Sequence, residues 1–176
     1  MSRATELPKT MLALVKAGPG LRGVSLRTWP VPRPRTGEVL VRVRAVGVCG
    51  TDLHIIHDEY DHAEPLVLGH EWAGEVVALG PKVRGWRVGA RVVGELHTRA
   101  CGRCPLCRSG NQQICPFKRP YGTYEHGALA TYFRIPVPLL HRIPPGLPYA
   151  EAALLEPTAC AIHGSQRIPT LRRSAT

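Results

Sequence analysis

No apolar run in this 176-residue chain approaches the ~20 residues that a membrane-spanning helix requires. The first residues, Met1 to Thr10, carry no apolar stretch of the kind a secretory signal needs. No segment repeats, and none is of low complexity. Neither a membrane partner nor secretion is expected, and the cytoplasm is the expected compartment. Acidic residues are scarce, 13 against 23 lysines and arginines, for a net charge of +10. Such a surplus raises nucleic-acid binding, but the basic residues are scattered and gather only between Arg167 and Arg173. Arginine outnumbers lysine by 19 to 4, which fits an ordinary solvated surface. No nucleic-acid partner is expected. The length suffices for one domain with a real core.

Residues 1–10 look like a loose tail. Met11 to Ala17 has the character of a first strand. Gly18-Pro19-Gly20-Leu21-Arg22-Gly23 then spells GxGxxG. A dinucleotide cradle would open a helix there and place an acid about 20 residues on. Instead Val24 to Trp29 alternates like a strand, and Pro30, Pro32 and Pro34 bar a helix. The spacing predicts a hairpin. Glu38 to Val46 alternates most cleanly. Thr51-Asp52 suits a helix cap ahead of Leu53, Ile55 and Ile56. Further strands are expected at Trp72–Leu79, Gly89–Val93, Gly127–Ile135 and Leu139–Ile143. A helical region is expected from Pro148 to Gln166, interrupted at Pro157. Many short strands between Gly/Pro turns give a mainly β (α+β) class with a barrel or sandwich body.

Four of the six cysteines fall in Cys101-x2-Cys104-x2-Cys107-x7-Cys115. In an intracellular protein that spacing favours a metal over disulfides. Four thiolates suit a closed tetrahedral zinc whose binding energy holds the loop. Arg103 and Arg108 can offset the excess negative charge. An iron–sulfur cluster is the rival, since Cys115-Pro116 imitates a ferredoxin ending. That motif, however, has three residues before its last cysteine, not seven.

Between Cys49 and Glu71 lie a thiol (Cys49), an imidazole (His70) and a carboxylate (Glu71), all zinc-binding types. A hydroxyl (Thr51) and a second imidazole (His54) suited to moving a proton lie there too. Three ligands with one open position make a catalytic rather than a structural zinc site. Each residue alone has a plainer explanation: a buried thiol, a core histidine, a helix cap. An HExxH motif is ruled out, because Gly74 stands at the fourth place after His70. The remaining Cys160, His57, His62, His97, His126, His141 and His163 read as structural or surface residues.

Gly47-Val48-Cys49-Gly50-Thr51-Asp52-Leu53-His54, Gly69-His70-Glu71 with Gly74 and Gly80, the cysteine loop, and Ala152-Ala153-Leu154-Leu155-Glu156-Pro157 stand in a telling order. The sequence resembles the zinc-containing medium-chain alcohol dehydrogenases, in particular the polyol (sorbitol) and threonine dehydrogenase branch, from about Met11 to Gly164. The resemblance implies a GroES-like β-barrel at 11–164 with a cysteine-rich structural zinc lobe at about 95–118. It implies Cys49 and His70 as ligands of a catalytic zinc, Glu71 as a third ligand or close neighbour, and Glu156 as a carboxylate near the metal. Asp52 would hydrogen-bond the far nitrogen of His70. Thr51 would bond the substrate hydroxyl, and His54 would pass its proton to solvent. Two zinc ions per chain and hydride transfer between an alcohol, polyol or amino alcohol and NAD or NADP follow from the same resemblance.

Two departures qualify it. Gly89-Ala90-Arg91-Val92 replaces the family's Gly-Asp-Arg-Val, which removes a hydrogen-bonding group. Beyond Gly164, residues 165–176 form a tail where a cofactor-binding Rossmann domain would begin. A βαβ unit alone needs about 30 residues, so the Rossmann domain is expected to be absent and a separate cofactor-binding chain is a candidate partner. A non-catalytic zinc-binding module and a zinc-stapled nucleic-acid binder are the alternative readings.

Overall fold

The computed structural model describes residues 7–168. Most of the expected 1–10 tail and the end of the 165–176 tail, with part of the arginine cluster, lie outside the described residues. In chain order the elements are β1 (Thr10–Lys16), β2 (Val24–Pro30), β3 (Glu38–Gly47), α1 (Gly50–Ile56), β4 (Leu66–Val67), β5 (Glu71–Leu79) and β6 (Arg91–Gly94). There follow β7 (His97–Thr98), α2 (Pro105–Arg108), β8 (Arg119–Pro120), β9 (Tyr132–Pro136), β10 (Leu140–Arg142), α3 (Tyr149–Ala152) and α4 (Leu155–Ser165).

β1 and β2 form the expected hairpin, paired from Thr10↔Pro30 to Lys16↔Val24, so the glycine motif turns a chain and cradles no phosphate. A five-stranded antiparallel sheet, ordered β10-β6-β5-β3-β9, carries the main core. Two register shifts in the β3–β5 pair, at Leu40/Val41 and Val43/Ala45, interrupt its ladder. Such bulges bend a sheet and raise its twist, and here they curl it into a half-barrel. Its inner face buries Val39, Val41, Trp72, Val76, Val92, Phe133 and Ile135. Fully burying side chains of this size stabilises by about 1.5–3 kcal/mol each. Ala90, at the departed Asp position, packs into this same core, so the methyl group fills apolar space there.

The predicted strand at 127–135 is only half regular. Residues 127–131 instead bond to the other sheet: Gly127 N–H to Val67 O (2.7 Å), Leu129 N–H to Leu68 O (2.8 Å), and Leu14 N–H to Leu129 O (2.8 Å). This segment stitches the β2-β1-β4 sheet to the barrel. The helical region also breaks earlier than expected, at Ala153-Leu154. Pro157 sits in the first turn of α4, where a missing N–H costs nothing because that donor has no intrahelical partner.

One buried cation ties the hairpin to α1. Lys16, fully buried, bonds Asp58 Oδ1 (2.5 Å) and the carbonyls of Ile56 (3.2 Å) and Gly20 (3.3 Å). Asp58 Oδ2 accepts the Gly20 N–H at 2.6 Å. The Lys16 ammonium first, and the Gly20 amide second, hold the Asp58 carboxyl below the ordinary 3.8. A depressed folded value adds stability that is present above 3.8 and lost as pH falls through the folded value. Urea midpoints of the wild type should therefore fall on acidification below 3.8. In Asp58→Asn that part of the acid limb should be absent. Identical acid limbs in the two proteins would remove this role.

Candidate metal centre

Cys49, His70 and Glu71 reach one another because the end of β3 pairs with the start of β5, Gly47 opposite Glu71. Cys49 follows that end and precedes α1. The ligand atoms of the three residues all lie within 4.8 Å of one another. His70 and Glu71 are buried, and Cys49 is half-buried. Gly47 makes the room: a Cβ there would stand 2.3 Å from Glu71 Oε2 and 3.2 Å from Glu71 Cβ. A side chain at position 47 would force the Glu71 carboxylate to shift. Gly47→Ala should leave the barrel and the cysteine lobe intact but weaken metal binding at the triad about 10–100-fold, the usual cost of disturbing a ligand's support. Zinc titration with a competing chelator reads this, and unchanged affinity would refute the steric argument.

Asp52, fully buried, behaves differently from the expectation. Its Oδ1 lies 4.0 Å from His70 Nδ1, too long for a hydrogen bond, and Nδ1 has no partner. Both oxygens serve the backbone instead: Oδ2 accepts the Cys49 N–H (3.0 Å) and Oδ1 accepts the Gly69 N–H (3.0 Å). Cys49, rather than Thr51-Asp52, is the N-cap of α1, and Asp52 is its third helical residue. The carboxylate thus fixes the chain beside two of the three triad residues. Gly69 holds φ +89, and a Cβ there would meet Leu129, so the approach to His70 needs glycine.

Thr51 Oγ1 lies 3.8 Å from Cys49 Sγ. His54, largely exposed, places Nδ1 2.7 Å from Glu59 Oε2. Thr51 and His54 are three residues apart on α1 and share a face. Glu156 stands outside the triad. It overlooks it from α4, feels the charges of His70 and Glu71, and accepts a contact from Cys160 Sγ at 3.6 Å. Burial pushes its carboxyl above the ordinary range, His70 opposes that shift, and Glu71 adds to it.

Glu156 also lines a cleft of about 580 Å³ whose walls include Trp72, His97, Gln113, His141, Cys160 and His163. Of these, sequence reasoning had placed only Glu156 near a site. Burial lowers the affinity of His97 for a proton, and its Nδ1 has no partner. The only sequence signal for His97 is its place just ahead of the cysteine loop.

The four cysteines of that loop converge with all sulfurs within 4.8 Å. Cys101–Cys107 and Cys104–Cys115 are each separated by 3.9 Å. A disulfide requires about 2.05 Å, whereas four Zn–S bonds of about 2.3 Å in a tetrahedron set sulfurs about 3.8 Å apart. Backbone amides of Cys101, Cys104 and Cys107 donate to neighbouring sulfurs at 3.3–3.4 Å. Amides of Arg103 and Cys104 draw the Cys101 thiol down to about 6, while burial pushes Cys107 up to about 12. The donor set and its spacing fit a zinc ion. A third group, Asp58, His62 and Glu64, is already satisfied by Lys16, Gly20 and its own internal bonds.

Residues 35–145 match the model of the alcohol dehydrogenase GroES-like domain. The chain is 38% identical over 153 residues to a sorbitol dehydrogenase of Halalkalibacterium halodurans, covering 87% of this chain and 45% of that protein. It is 40% identical over 157 residues to an L-threonine 3-dehydrogenase of a Chelativorans species, covering 87% and 45%. Among solved structures, a zinc-binding dehydrogenase of Sinorhizobium meliloti bound to NADP superposes with a TM-score of 0.85 at 36% identity, covering 90% of this chain and 46% of that one. A cobalt- and zinc-bound alcohol dehydrogenase of Pyrobaculum aerophilum gives 0.75 at 32% identity, covering 83% and 44%. The chain thus spans about half the length of the proteins it matches.

Proposed function

The chain belongs to the family of alcohol dehydrogenase GroES-like domains, and from that membership we propose that it is the metal-holding catalytic part of a zinc-dependent dehydrogenase. Its reaction is hydride transfer between a small alcohol, polyol or amino alcohol and NAD(P). The observation that carries this reading is the convergence of Cys49, His70 and Glu71 within 4.8 Å beneath α4. A thiolate, an imidazole and a carboxylate leave one position of a tetrahedral zinc open for substrate. The four-cysteine loop leaves none, which assigns it to structure.

Zinc held by the triad would supply Lewis acidity, making a substrate hydroxyl easier to deprotonate. The chain's own groups do the rest. Thr51, beside Cys49, would accept a hydrogen bond from the substrate hydroxyl and hand on its own hydroxyl proton as the substrate's arrives. His54, exposed on the same helix face and paired with Glu59, would receive that proton and release it to water. Glu156 and His97 offer hydrogen-bonding groups to a polyhydroxylated substrate in a cleft whose other walls include Trp72, Leu155 and Ala159. Asp52 keeps Cys49 and His70 in register.

Among the described residues there is no strand–glycine–helix cradle for a dinucleotide, and the only GxGxxG lies in the β1–β2 turn. We assign the nicotinamide cofactor to a unit outside the described residues; the chain covers 45% of these relatives. No helix among the described residues is long and apolar enough to cross a membrane.

The test is metal content and turnover. Purified chain should hold about two zinc ions, one per cysteine-containing cluster, and should oxidise sorbitol or threonine only when joined to a nicotinamide-binding unit. Cys49→Ala should remove one zinc and all turnover. Retention of both zinc ions by that variant would sink the assignment of the triad.

A further inference from the structure

A second cleft, of about 370 Å³, lies between the β1–β2 hairpin and the barrel. That size suits a small ligand. None of its walls belongs to the metal triad or to the cleft beneath α4. The separation is built into β7, whose consecutive residues point to opposite faces: His97 lines the first cleft and Thr98 the second. Behind them, Trp72 of the first cleft and Phe133 of the second meet edge to face, 5.1 Å between centroids.

The walls are flat and apolar on one side. Trp29 stands edge-on to His126 at 5.4 Å, and Pro30, Pro32 and Tyr132 continue that surface. The other side carries three guanidinium groups, Arg35, Arg99 and Arg134, against two carboxylates, Glu38 and Glu125. Glu38 is engaged by Arg134 (3.4 Å) and by the Arg35 N–H (2.9 Å), and Glu125 by Arg99 (3.3 Å) and Arg119 (2.8 Å). Each carboxylate is thus held through a single oxygen, Oε2 of Glu38 and Oε1 of Glu125. The Arg35 guanidinium has no partner among the described residues. His126 accepts the Val67 N–H on Nδ1 at 3.3 Å, so its neutral form carries the proton on Nε2. No described residue accepts from that nitrogen. Arg99 holds φ 55, a left-handed conformation that costs energy in any residue but glycine and recurs at ligand clamps.

We propose that this cleft is a second ligand site, taking a small planar aromatic carboxylate. The ring lies against Trp29 and the prolines, and the carboxylate accepts from Arg35 and from His126 Nε2–H. The excess of guanidinium over carboxylate groups suits an anion, and the aromatic and proline walls suit a flat apolar body.

Equilibrium dialysis of the full chain against labelled benzoate tests this, with benzamide as the uncharged isostere. Benzoate should bind saturably, and benzamide at least about tenfold more weakly. Arg35→Glu, an exposed substitution, should weaken benzoate at least about tenfold, as should Trp29→Leu. Cys49→Ser should leave binding unchanged. Absence of saturation up to about 10 mM, equal binding of benzamide, or full affinity in Arg35→Glu would overturn the proposal. Loss of binding in Cys49→Ser would also overturn it, because the anion would then be sitting on the metal triad.

Discussion

Serine in place of Cys107 should take the zinc content from about two ions per chain to about one and unfold the lobe, leaving the barrel folded. Between residues 99 and 120 only Cys107 and Cys115 are buried. The lobe therefore has no apolar core of its own. Its regular structure amounts to one helical turn, one 3-10 turn and the two-residue pair β7–β8. Such a segment cannot offset about 1–2 kcal/mol of backbone entropy per residue by apolar burial. Zinc bound by small four-ligand domains supplies about 10–16 kcal/mol, and a missing thiolate forfeits much of it. Limited proteolysis should then cut within 101–115 while residues 38–79 stay protected, and metal analysis should read the lost ion. If the Cys107→Ser protein kept both ions and resisted protease, the lobe would stand without the metal.

The second large effect is expected at Asp52. Asp52→Ala removes the acceptor of two backbone N–H groups, Cys49 and Gly69. Leaving each buried donor unmade costs about 1–3 kcal/mol, so a loss of about 2–6 kcal/mol should appear in urea unfolding. The same change frees the chain beside Cys49 and His70, and triad metal affinity should fall about 10–100-fold. Asp52→Asn keeps one acceptor oxygen and should lose clearly less of both. If Asp52→Ala bound metal at the triad as tightly as wild type, the carboxylate would be a helix brace and nothing more.

These two residues also show what a sequence discloses and what it withholds. The cysteine loop was legible because all four ligands fall in one short segment. β3 was legible from the alternation of Val41, Arg42, Val43 and Arg44, and β5 from a valine-bearing run ahead of the Gly80-Pro81 turn, although its first four residues are all buried. β4, β7 and β8 were not, since two residues carry no period; they exist because neighbouring chain offers them hydrogen bonds. Pro157 reads as a break in the sequence but lies in the first turn of α4, because a proline's cost depends on its place in the helix and not on its presence. The real break, at Ala153-Leu154, has no breaker residue. For Asp52 the sequence supported a carboxylate near His70 but not its bonds, which go to amides 3 and 17 positions away. The wall residues Gln113, His141 and His163 come from three separate segments, and no local pattern could have joined them.

The two clusters sit on unlike foundations. Cys49, His70 and Glu71 are held by a long strand pair, a helix cap and a glycine-made gap, so the entropy of assembling them is met by folding the barrel. The lobe must collect its ligands at the moment of binding. On this geometry the triad would capture an ion without chain rearrangement, whereas uptake by the lobe would wait on one. Where zinc is scarce, the triad is then expected to fill first. A barrel already carrying its triad ion would then present an unfilled, thiol-rich loop as the last vulnerable part of the molecule.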